Sequence, residues 1–128
     1  MHGDLASDRC HVCGNVTPAQ VLSLNLRCNA CSRIGVLRPN VVWFGEMPTR
    51  FDEAQAALQQ ADLFVAIGTS GEVYPASSFV YDAEDGGIPR LLLNKERPGN
   101  REAFGAARYG EADVLVPEWV DEMLGAPT

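Results

Sequence analysis

The sequence predicts an α/β fold, in which an open parallel sheet with helices on both faces follows a small zinc-binding module. Three observations predict it. All four cysteines lie before residue 32. After residue 38, short apolar runs alternate with helical patterns, as expected of parallel strands joined by right-handed crossovers. Residues 1–38 hold four arginines against two aspartates, whereas the whole chain has a formal net charge of -7, so the remainder is strongly acidic.

Composition excludes several functional classes. A chain of 128 residues, 46% hydrophobic and 21% charged, is typical of a globular domain that builds its own core. No run of basic residues could neutralise a series of phosphates, so direct nucleic-acid binding is not expected. No apolar stretch approaches the roughly 18–20 residues of a membrane span, and the first residues lack the pattern of a signal peptide. We therefore expect a cytoplasmic protein that does not bind membranes.

The cysteine segment predicts a structural zinc site. Cys10, Cys13, Cys28 and Cys31 form two C-x2-C pairs, at a spacing close to that of four-thiolate zinc sites. Two residues between cysteines let one tight turn aim both sulfurs at the same ion, and two such turns complete a tetrahedron. The alternative is a pair of disulfides, which needs an oxidising compartment. A zinc ion with four protein thiolates has no open position, so one ion per chain would be structural rather than catalytic.

The residues after 38 predict the elements of the sheet in order. A short strand is expected at 41–44, with Trp43 as a core aromatic. An alanine-rich helix is expected at 51–61, with Thr49 or Asp52 as its cap.

A continuous apolar run at 63–67, closed by glycine, then predicts a strand buried on both faces. Gly86 and Gly87 are expected to stop the helix that follows it. The remaining expected elements are a helix at 76–85, a strand at 91–93, a weaker helix at 100–108, a strand at 113–116 and a terminal helix from Pro117 to about Leu124.

Polar residues follow the predicted strands at the edge where parallel sheets bind ligands. Gly68-Thr69-Ser70-Gly71 follows one buried strand and Asn94-Lys95-Glu96 follows the next. The glycines would let backbone approach a sugar or phosphate closely, and Asn94 and Glu96 could bind ribose hydroxyls. This favours a nucleotide site, although glycine and serine after a strand also simply make a turn. The G-x-G-x-x-G fingerprint and the Walker motif do not occur in the 128 residues, so only one wall of a dinucleotide site is predicted.

Several segments together resemble one protein family. They follow in order over nearly all 128 residues: Met1-His2-Gly3, the four cysteines, Leu37 to Glu46, Ala61 to Pro75, Asn94-Lys95-Glu96 and Val116-Pro117-Glu118. The combination resembles the sirtuins, which are NAD-dependent protein-lysine deacylases. The segments 42–48 and 68–75 resemble most the branch found in bacteria and mitochondria. Members of that branch include deacetylases and enzymes that remove acidic acyl groups (desuccinylases and demalonylases).

The resemblance implies an activity and its site residues. The activity is removal of an acyl group from lysine, with NAD as cosubstrate and an acyl-lysine protein or peptide as partner. His2 resembles the catalytic histidine, the general base for a ribose hydroxyl of NAD. NAD contacts are implied for Gly68, Thr69, Ser70, Asn94, Lys95 and Glu96, and for the backbone of Ala112 at the adenine.

The resemblance also implies where the substrate binds. Phe44-Gly45-Glu46 and Val73-Tyr74-Pro75 resemble the two strands between which sirtuins clamp an extended peptide. Val42 and Phe44 would then help to line the tunnel for the acyl-lysine side chain.

One departure limits the resemblance. Sirtuins carry a glycine-rich loop, an Asn-Ile-Asp segment and acyl-selecting residues before the histidine, and these 128 residues hold none of them. The chain thus resembles the carboxyl-terminal half of a sirtuin: residues 1–38 as the catalytic-histidine start and zinc-ribbon module, and 39–128 as part of a Rossmann-like NAD-binding domain. We expect little or no turnover from this chain alone. The alternative function is a zinc-stabilised module that binds a peptide or partner chain without chemistry.

Overall fold

A computed structural model describes residues 1–125 of the chain. Its contacts divide the chain into two compact units, one from Met1 to Phe51 and the other from Asp52 onward. None of the helices in the described residues is long and apolar enough to cross a membrane. The functional boundary expected after residue 38 stays a prediction, because it concerns what each part binds.

The first unit is built on a three-stranded antiparallel sheet. Its strands are β1 (Gly3–Cys10), β2 (Val16–Pro18) and β3 (Leu37–Val41), in the order β2-β1-β3. The pairing of β1 with β3 runs from Cys10 opposite Leu37 to Gly3 opposite Val41. Pro39 is tolerated within β3 because this strand lies at an edge of the sheet.

The core of the first unit is small and centred on cysteines. Cys10, Cys28 and Val36 are buried, and Cys31 and Leu37 pack against them. Many other large apolar side chains of the unit are exposed, among them Leu5, Val21 and Leu24. Because so little apolar surface is buried, a metal ion that joined the cysteines would contribute strongly to folding.

The second unit contains a three-stranded parallel sheet. Its strands are β4 (Phe64–Ile67), β5 (Arg90–Asn94) and β6 (Ala106–Tyr109), in the order β4-β5-β6. The helices are α1 (Phe51–Leu58), α2 (Phe79–Asp85) and α3 (Ala112–Leu124), with short 3-10 turns at Ala76–Ser78 and Arg101–Ala103. The predicted α/β class, with a parallel sheet and a separate four-cysteine module, is confirmed.

The central strand β5 carries the core of this unit. Leu91, Leu92 and Leu93 are all buried. Successive side chains of a strand point to opposite faces, so both faces of β5 are covered. On one face, Leu92 packs with Val80 of α2 and with Phe104, and α3 also lies against β5. A second cluster joins α1 to α2 through Leu58, Ala83 and Ile88.

Four predicted elements lie close to their expected positions. The strands expected at 63–67 and 91–93 are confirmed to within one residue at each end. The helix expected at 51–61 ends at Leu58, and the one expected at 76–85 begins as a 3-10 turn before α2. Asp52 lies inside the first turn of α1 rather than before it. Gly86 and Gly87 end α2 as predicted, and Gly87 has a φ of 68°.

The strand expected at 41–44 is wrong. The pairing of β3 with β1 ends at Val41, because its partner Gly3 is the first residue of β1. Residues 43–46 instead form a turn, in which the N–H of Glu46 donates to the carbonyl of Trp43 at 3.0 Å. Trp43 is 54% exposed, so it is not a core aromatic.

The elements expected at 100–108 and 113–116 are also wrong. Residues 100–108 form a 3-10 turn and most of β6, because pairing with β5 outweighs the helix propensity of the alanines. Residues 113–116 belong to α3, since a short apolar run does not distinguish a strand from a helix. Pro117 lies inside α3 and not at its first position.

Candidate functional site

His2, the predicted catalytic base, is held through its backbone just before the start of β1, the central strand of the first sheet. Its carbonyl accepts a hydrogen bond from the N–H of Val42 at 2.8 Å. The carbonyl of Met1 accepts one from the N–H of Thr49 at 2.9 Å. His2 itself is exposed. The backbone around His2 is therefore fixed against the segment that follows β3, while the imidazole faces solvent.

Gly3 explains why a glycine follows the histidine. Its φ is 95°, and a Cβ there would lie 2.1 Å from the carbonyl oxygen of Asn40. Only glycine permits this close approach of β1 to β3. The glycine thus determines where His2 lies relative to Val42.

The predicted substrate segment folds around an ion pair that sequence reasoning missed. Nη1 of Arg38 donates to Oε1 of Glu46 at 2.7 Å, and Nη2 donates to Oε2 at 2.6 Å. Nη2 also donates to the carbonyl of Val41 at 2.9 Å, and the guanidinium lies 4.1 Å from the centroid of the Trp43 ring. These contacts brace the loop formed by residues 42–46.

The ion pair keeps Glu46 ionised. Its pKa falls from 4.5 to about 2, chiefly because Arg38 donates hydrogen bonds to the carboxylate. The backbone N–H of Trp43, at 3.1 Å from Oε2, lowers the pKa further. The same pair raises the pKa of Arg38. Both carboxylate oxygens thus accept from protein donors, so Glu46 shapes the loop.

The braced loop presents Val42, Phe44 and Gly45. Phe44 is fully exposed and Val42 is half-buried. Gly45 has a φ of 87°, which its lack of a side chain permits. A fully exposed phenylalanine on a braced loop is a candidate contact for an apolar group of a ligand.

The four cysteines of the first unit form one cluster. Their sulfurs all lie within 4.8 Å of one another. The Sγ atoms of Cys10 and Cys31 are 3.8 Å apart, and those of Cys13 and Cys28 are 3.7 Å apart. In a tetrahedron with Zn–S bonds of about 2.3 Å, neighbouring sulfurs lie about 3.8 Å apart. The cluster therefore has the size of a four-thiolate metal site, and all four cysteines are free thiols rather than disulfides.

The backbone around the cluster favours thiolates. The N–H of Cys13 is the main cause that lowers the pKa of Cys10 to about 6, and the backbone of Cys31 is the main cause that lowers the pKa of Cys28. At Cys13, the backbone of Asn15 lowers the pKa, but the nearby Cys10 sulfur, burial and the other two thiols outweigh it and raise the pKa to about 12. A divalent cation would relieve this crowding of negative sulfur.

The second unit brings the predicted nucleotide residues together. A cavity of about 440 Å³ opens at the carboxyl ends of β4 and β5. Six of the predicted residues line it: Gly68, Thr69, Ser70, Asn94, Lys95 and Glu96. Sequence reasoning missed four others: Glu72, Arg97, Pro98 and Gly99. Their positions just beyond the same strand ends are the signal that could have included them.

Gly68 leaves room for a ligand at this cavity. Its φ is 60°, and a Cβ built there would meet no atom within 4 Å. The hydroxyl oxygen of Thr69 accepts from the N–H of Gly71 at 3.0 Å, so the loop turns back on itself. The backbone at Gly68 is therefore open to close approach, as a nucleotide site requires.

Asn94 holds the loop and can only accept a hydrogen bond from a ligand. Its Nδ2 donates to the carbonyl of Thr69 at 2.9 Å and to the carbonyl of Glu96 at 2.8 Å. An amide nitrogen has two hydrogens, and both are used here. Only Oδ1 remains, which suits a donating hydroxyl.

Two predicted sets of residues lie outside this cavity. Ala112 is the first residue of α3 and does not line the cavity. Val73, Tyr74 and Pro75 form bends and turns rather than a strand, and Val73 and Tyr74 are exposed. Pro75 is buried. The carbonyls of Val73 and Pro75 already accept hydrogen bonds within the chain, from the N–H of Ser77 at 3.0 Å and from the N–H of Ser78 at 2.9 Å.

Comparisons with known proteins agree with this arrangement. The model of the Sir2 family matches residues 1–75. The NAD-dependent protein deacylase SIR2rp3 of Leishmania major is 47% identical over 126 residues, which cover 97% of this chain and 52% of that protein. An NAD-dependent protein deacylase of Caulobacter vibrioides is 47% identical over 125 residues, again 97% of this chain and 52% of the relative. The crystal structure of a Sir2 homolog–NAD complex superposes with a TM-score of 0.83 at 29% identity, covering 98% of this chain and 50% of that one.

The fold and its sites define an α/β protein with a four-cysteine module and a ligand cavity at the carboxyl edge of a parallel sheet. With the family model matching more than half of its residues, the chain belongs to the Sir2 family, the sirtuins. It spans about half the length of the curated relatives it matches.

Proposed function

We propose that the protein takes part in NAD-dependent removal of acyl groups from lysine side chains of proteins. One observation carries the proposal: six residues predicted to contact NAD line a single cavity at the carboxyl edge of the parallel sheet. Relatives at 47% identity are NAD-dependent protein deacylases, which supports it.

The cavity suits the sugar end of NAD. Gly68 allows backbone to approach the ligand, and Oδ1 of Asn94 is left to accept from a ribose hydroxyl. Glu96 adds a second acceptor on the same wall. In this proposal the backbone of Ala112 meets the adenine. When bound, NAD would supply the ribose carbon that accepts the acyl oxygen, with nicotinamide as the leaving group.

The first unit supplies the base and contacts for the acyl-lysine. His2 accepts a proton from a ribose hydroxyl of NAD, a role that suits an imidazole near pH 7. The braced loop of residues 42–46 receives the acyl-lysine, with Phe44 and Val42 against its apolar stem. In this proposal Phe44-Gly45-Glu46 and Val73-Tyr74-Pro75 receive the extended substrate by strand addition. The carbonyls of Val73 and Pro75 would then exchange their present donors, Ser77 and Ser78, for the peptide.

The cysteine cluster holds a structural zinc ion in this proposal. Its sulfur separations of 3.7 and 3.8 Å fit four thiolates around one ion. All four positions are then occupied by protein, so the ion stabilises the first unit and activates no water.

A matched pair of glycine variants tests the NAD site. Gly68→Ala adds a methyl group at the cavity, whereas Gly87→Ala adds one at the end of α2, outside the lining. The two glycines have φ values of 60° and 68°, and a Cβ at either meets no atom within 4 Å, so both variants incur similar backbone strain. We expect similar losses of stability, but a weaker Kd for NAD and ADP-ribose only in Gly68→Ala, as measured by calorimetry.

The same measurement separates deacylation from the alternative function. A wild-type chain that binds neither NAD nor ADP-ribose, yet binds an acyl-lysine peptide with the same Kd in the presence of NAD, would be a peptide-binding module without chemistry. Absence of the G-x-G-x-x-G segment from the 128 residues favours weak nucleotide binding and little nicotinamide release. Rapid nicotinamide release by this chain would contradict that expectation while supporting deacylation.

A further inference from the structure

Asn100 lies behind the wall of the nucleotide cavity. Its Nδ2 donates to the carbonyl oxygen of Gly71 at 2.7 Å, across 29 residues of sequence. Gly71 lies between the lining residues Ser70 and Glu72, and Asn100 directly follows the lining residue Gly99. This hydrogen bond therefore joins two sides of the cavity without facing the ligand.

Gly71 is adapted to receive this side chain. Its φ is 68°, and a Cβ there would lie 2.3 Å from Oδ1 of Asn100. A side chain at position 71 would push Asn100 away. Gly71 and Asn100 thus act as a matched pair, with glycine giving the room that the asparagine amide fills.

The side chain of Asn100 makes this contact instead of capping the 3-10 turn that follows it. Asn100 holds the N-cap position of the 3-10 turn Arg101–Ala103 but makes no capping hydrogen bond with its side chain. Asparagine is favoured at N-caps because its oxygen accepts from the N–H groups of the turn. Here Oδ1 is buried and has no hydrogen-bond partner in the described part of the chain. Since a buried unpaired acceptor is unfavourable, local stability of the turn does not explain the orientation of the side chain.

We propose that Asn100 is a positioning residue that holds the loop Gly68–Glu72 in the form that receives the nucleotide. Asn94 holds the start of this loop at the Thr69 carbonyl, and Asn100 holds its end at the Gly71 carbonyl. Gly68 is also joined to β5, because its N–H donates to the carbonyl of Leu93 at 3.0 Å. Within the loop itself, the hydrogen bonds join residues two apart, from Gly71 to Thr69 and from Glu72 to Ser70. The inference rests on the proposed function only for the identity of the ligand as NAD.

Asn100→Ala tests the proposal against the control Asn40→Ala. The control also removes one donated side-chain bond, from Nδ2 to the Ser7 hydroxyl at 3.0 Å, but in the first unit. We expect Asn100→Ala to weaken binding of ADP-ribose by about five- to tenfold, the usual effect of one lost hydrogen bond, and to leave the Kd of an acyl-lysine peptide unchanged. Amide hydrogen exchange without ligand should become faster at Gly71 and Glu72 and stay the same at buried Leu92. The control should change neither quantity.

A double-mutant cycle with Gly71→Ala gives an independent readout. In the wild-type background the new methyl group meets Asn100, whereas in the Asn100→Ala background it does not, so Gly71→Ala should weaken ADP-ribose binding less there. Additive effects, or an Asn100→Ala variant that behaves like Asn40→Ala, would overturn the proposal. If the wild-type chain binds no nucleotide, the proposed function fails. Amide hydrogen exchange alone then tests whether Asn100 holds the loop. Faster exchange at Gly71 and Glu72 then supports the role of Asn100, and unchanged exchange overturns it.

Discussion

Arg38 and Glu46 form a two-pronged ion pair, with each guanidinium Nη donating to a different carboxylate oxygen at 2.7 and 2.6 Å. This geometry needs the planar fork of arginine, which lysine lacks. The pair closes the chain between the end of β3 and Glu46 into a loop, and Trp43 lies against its guanidinium. The exposed ring of Phe44 is therefore carried by a rigid support.

Arg38→Lys should loosen this loop while the charge is kept. We expect the Kd of an acyl-lysine peptide to rise about fivefold, since a single ammonium cannot replace both hydrogen bonds and the stacking on Trp43. ADP-ribose binding should not change. Calorimetry with each ligand measures both. Arg33→Lys, at an exposed position of the same unit, is the control, and equal peptide affinity in the two variants would contradict the supporting role of Arg38.

Glu46 should make the stability of the first unit depend on pH in acid. Its pKa is about 2 in the folded chain against an ordinary value of 4.5. The folded state thus binds this proton less readily than the unfolded state. The stabilisation by Glu46 is complete above about pH 4.5 and is lost as the pH falls toward 2.

Denaturant unfolding of the wild type and of Glu46→Gln between pH 6 and pH 2.5 checks this dependence. Protonation of the cysteines affects both proteins alike, so the difference between them isolates Glu46. We expect the difference in unfolding free energy to shrink as the pH falls through this window. A difference that stays constant would show that the ion pair does not contribute to the folded state.

Removal of the proposed zinc ion should unfold the first unit and spare the second. The first unit has a core of two buried cysteines and one valine, whereas the second has apolar clusters on its own sheet and helices. A chelator should therefore remove the dispersion of the backbone amide NMR signals of residues 1–51. The signals of β4, β5 and β6 should stay dispersed. Metal analysis should give one zinc per chain, and a value well below one would contradict the proposed site.

Gly3→Ala should destabilise the first unit by at least about 2 kcal/mol, because it adds backbone strain and a clash with the Asn40 carbonyl. Gly45→Ala is the matched control: its φ is 87°, against 95° for Gly3, but its Cβ would meet no atom within 4 Å. Thermal unfolding of the two variants measures the clash separately from the strain. Equal losses would mean that β1 and β3 can move apart without cost.

Sequence reasoning located what depends on spacing or on strand ends. The C-x2-C pairs placed four sulfurs together, and the polar residues after two apolar runs met at one cavity. It failed where contacts distant in sequence decide. Residues 106–109 became a strand only because β5 offers them a partner, and the roles of Arg38 and Asn100 depend on partners in space that no local pattern reveals.

The three leucines of β5 leave its alignment undetermined by apolar packing alone. A strand with one buried face resists sliding, because a one-residue slip would expose its apolar side chains. In β5, a slip of one residue would replace the central leucine by a neighbouring leucine, so its position in the core would still be filled by the same side chain. The polar residues at its two ends act as stops: Arg90 donates to the carbonyl of Ala103 at 2.6 Å, and Asn94 donates to that of Thr69. Asn94, proposed above to contact the ligand, therefore also fixes the position of β5 along its own axis, and with it the residues that line the cavity after this strand.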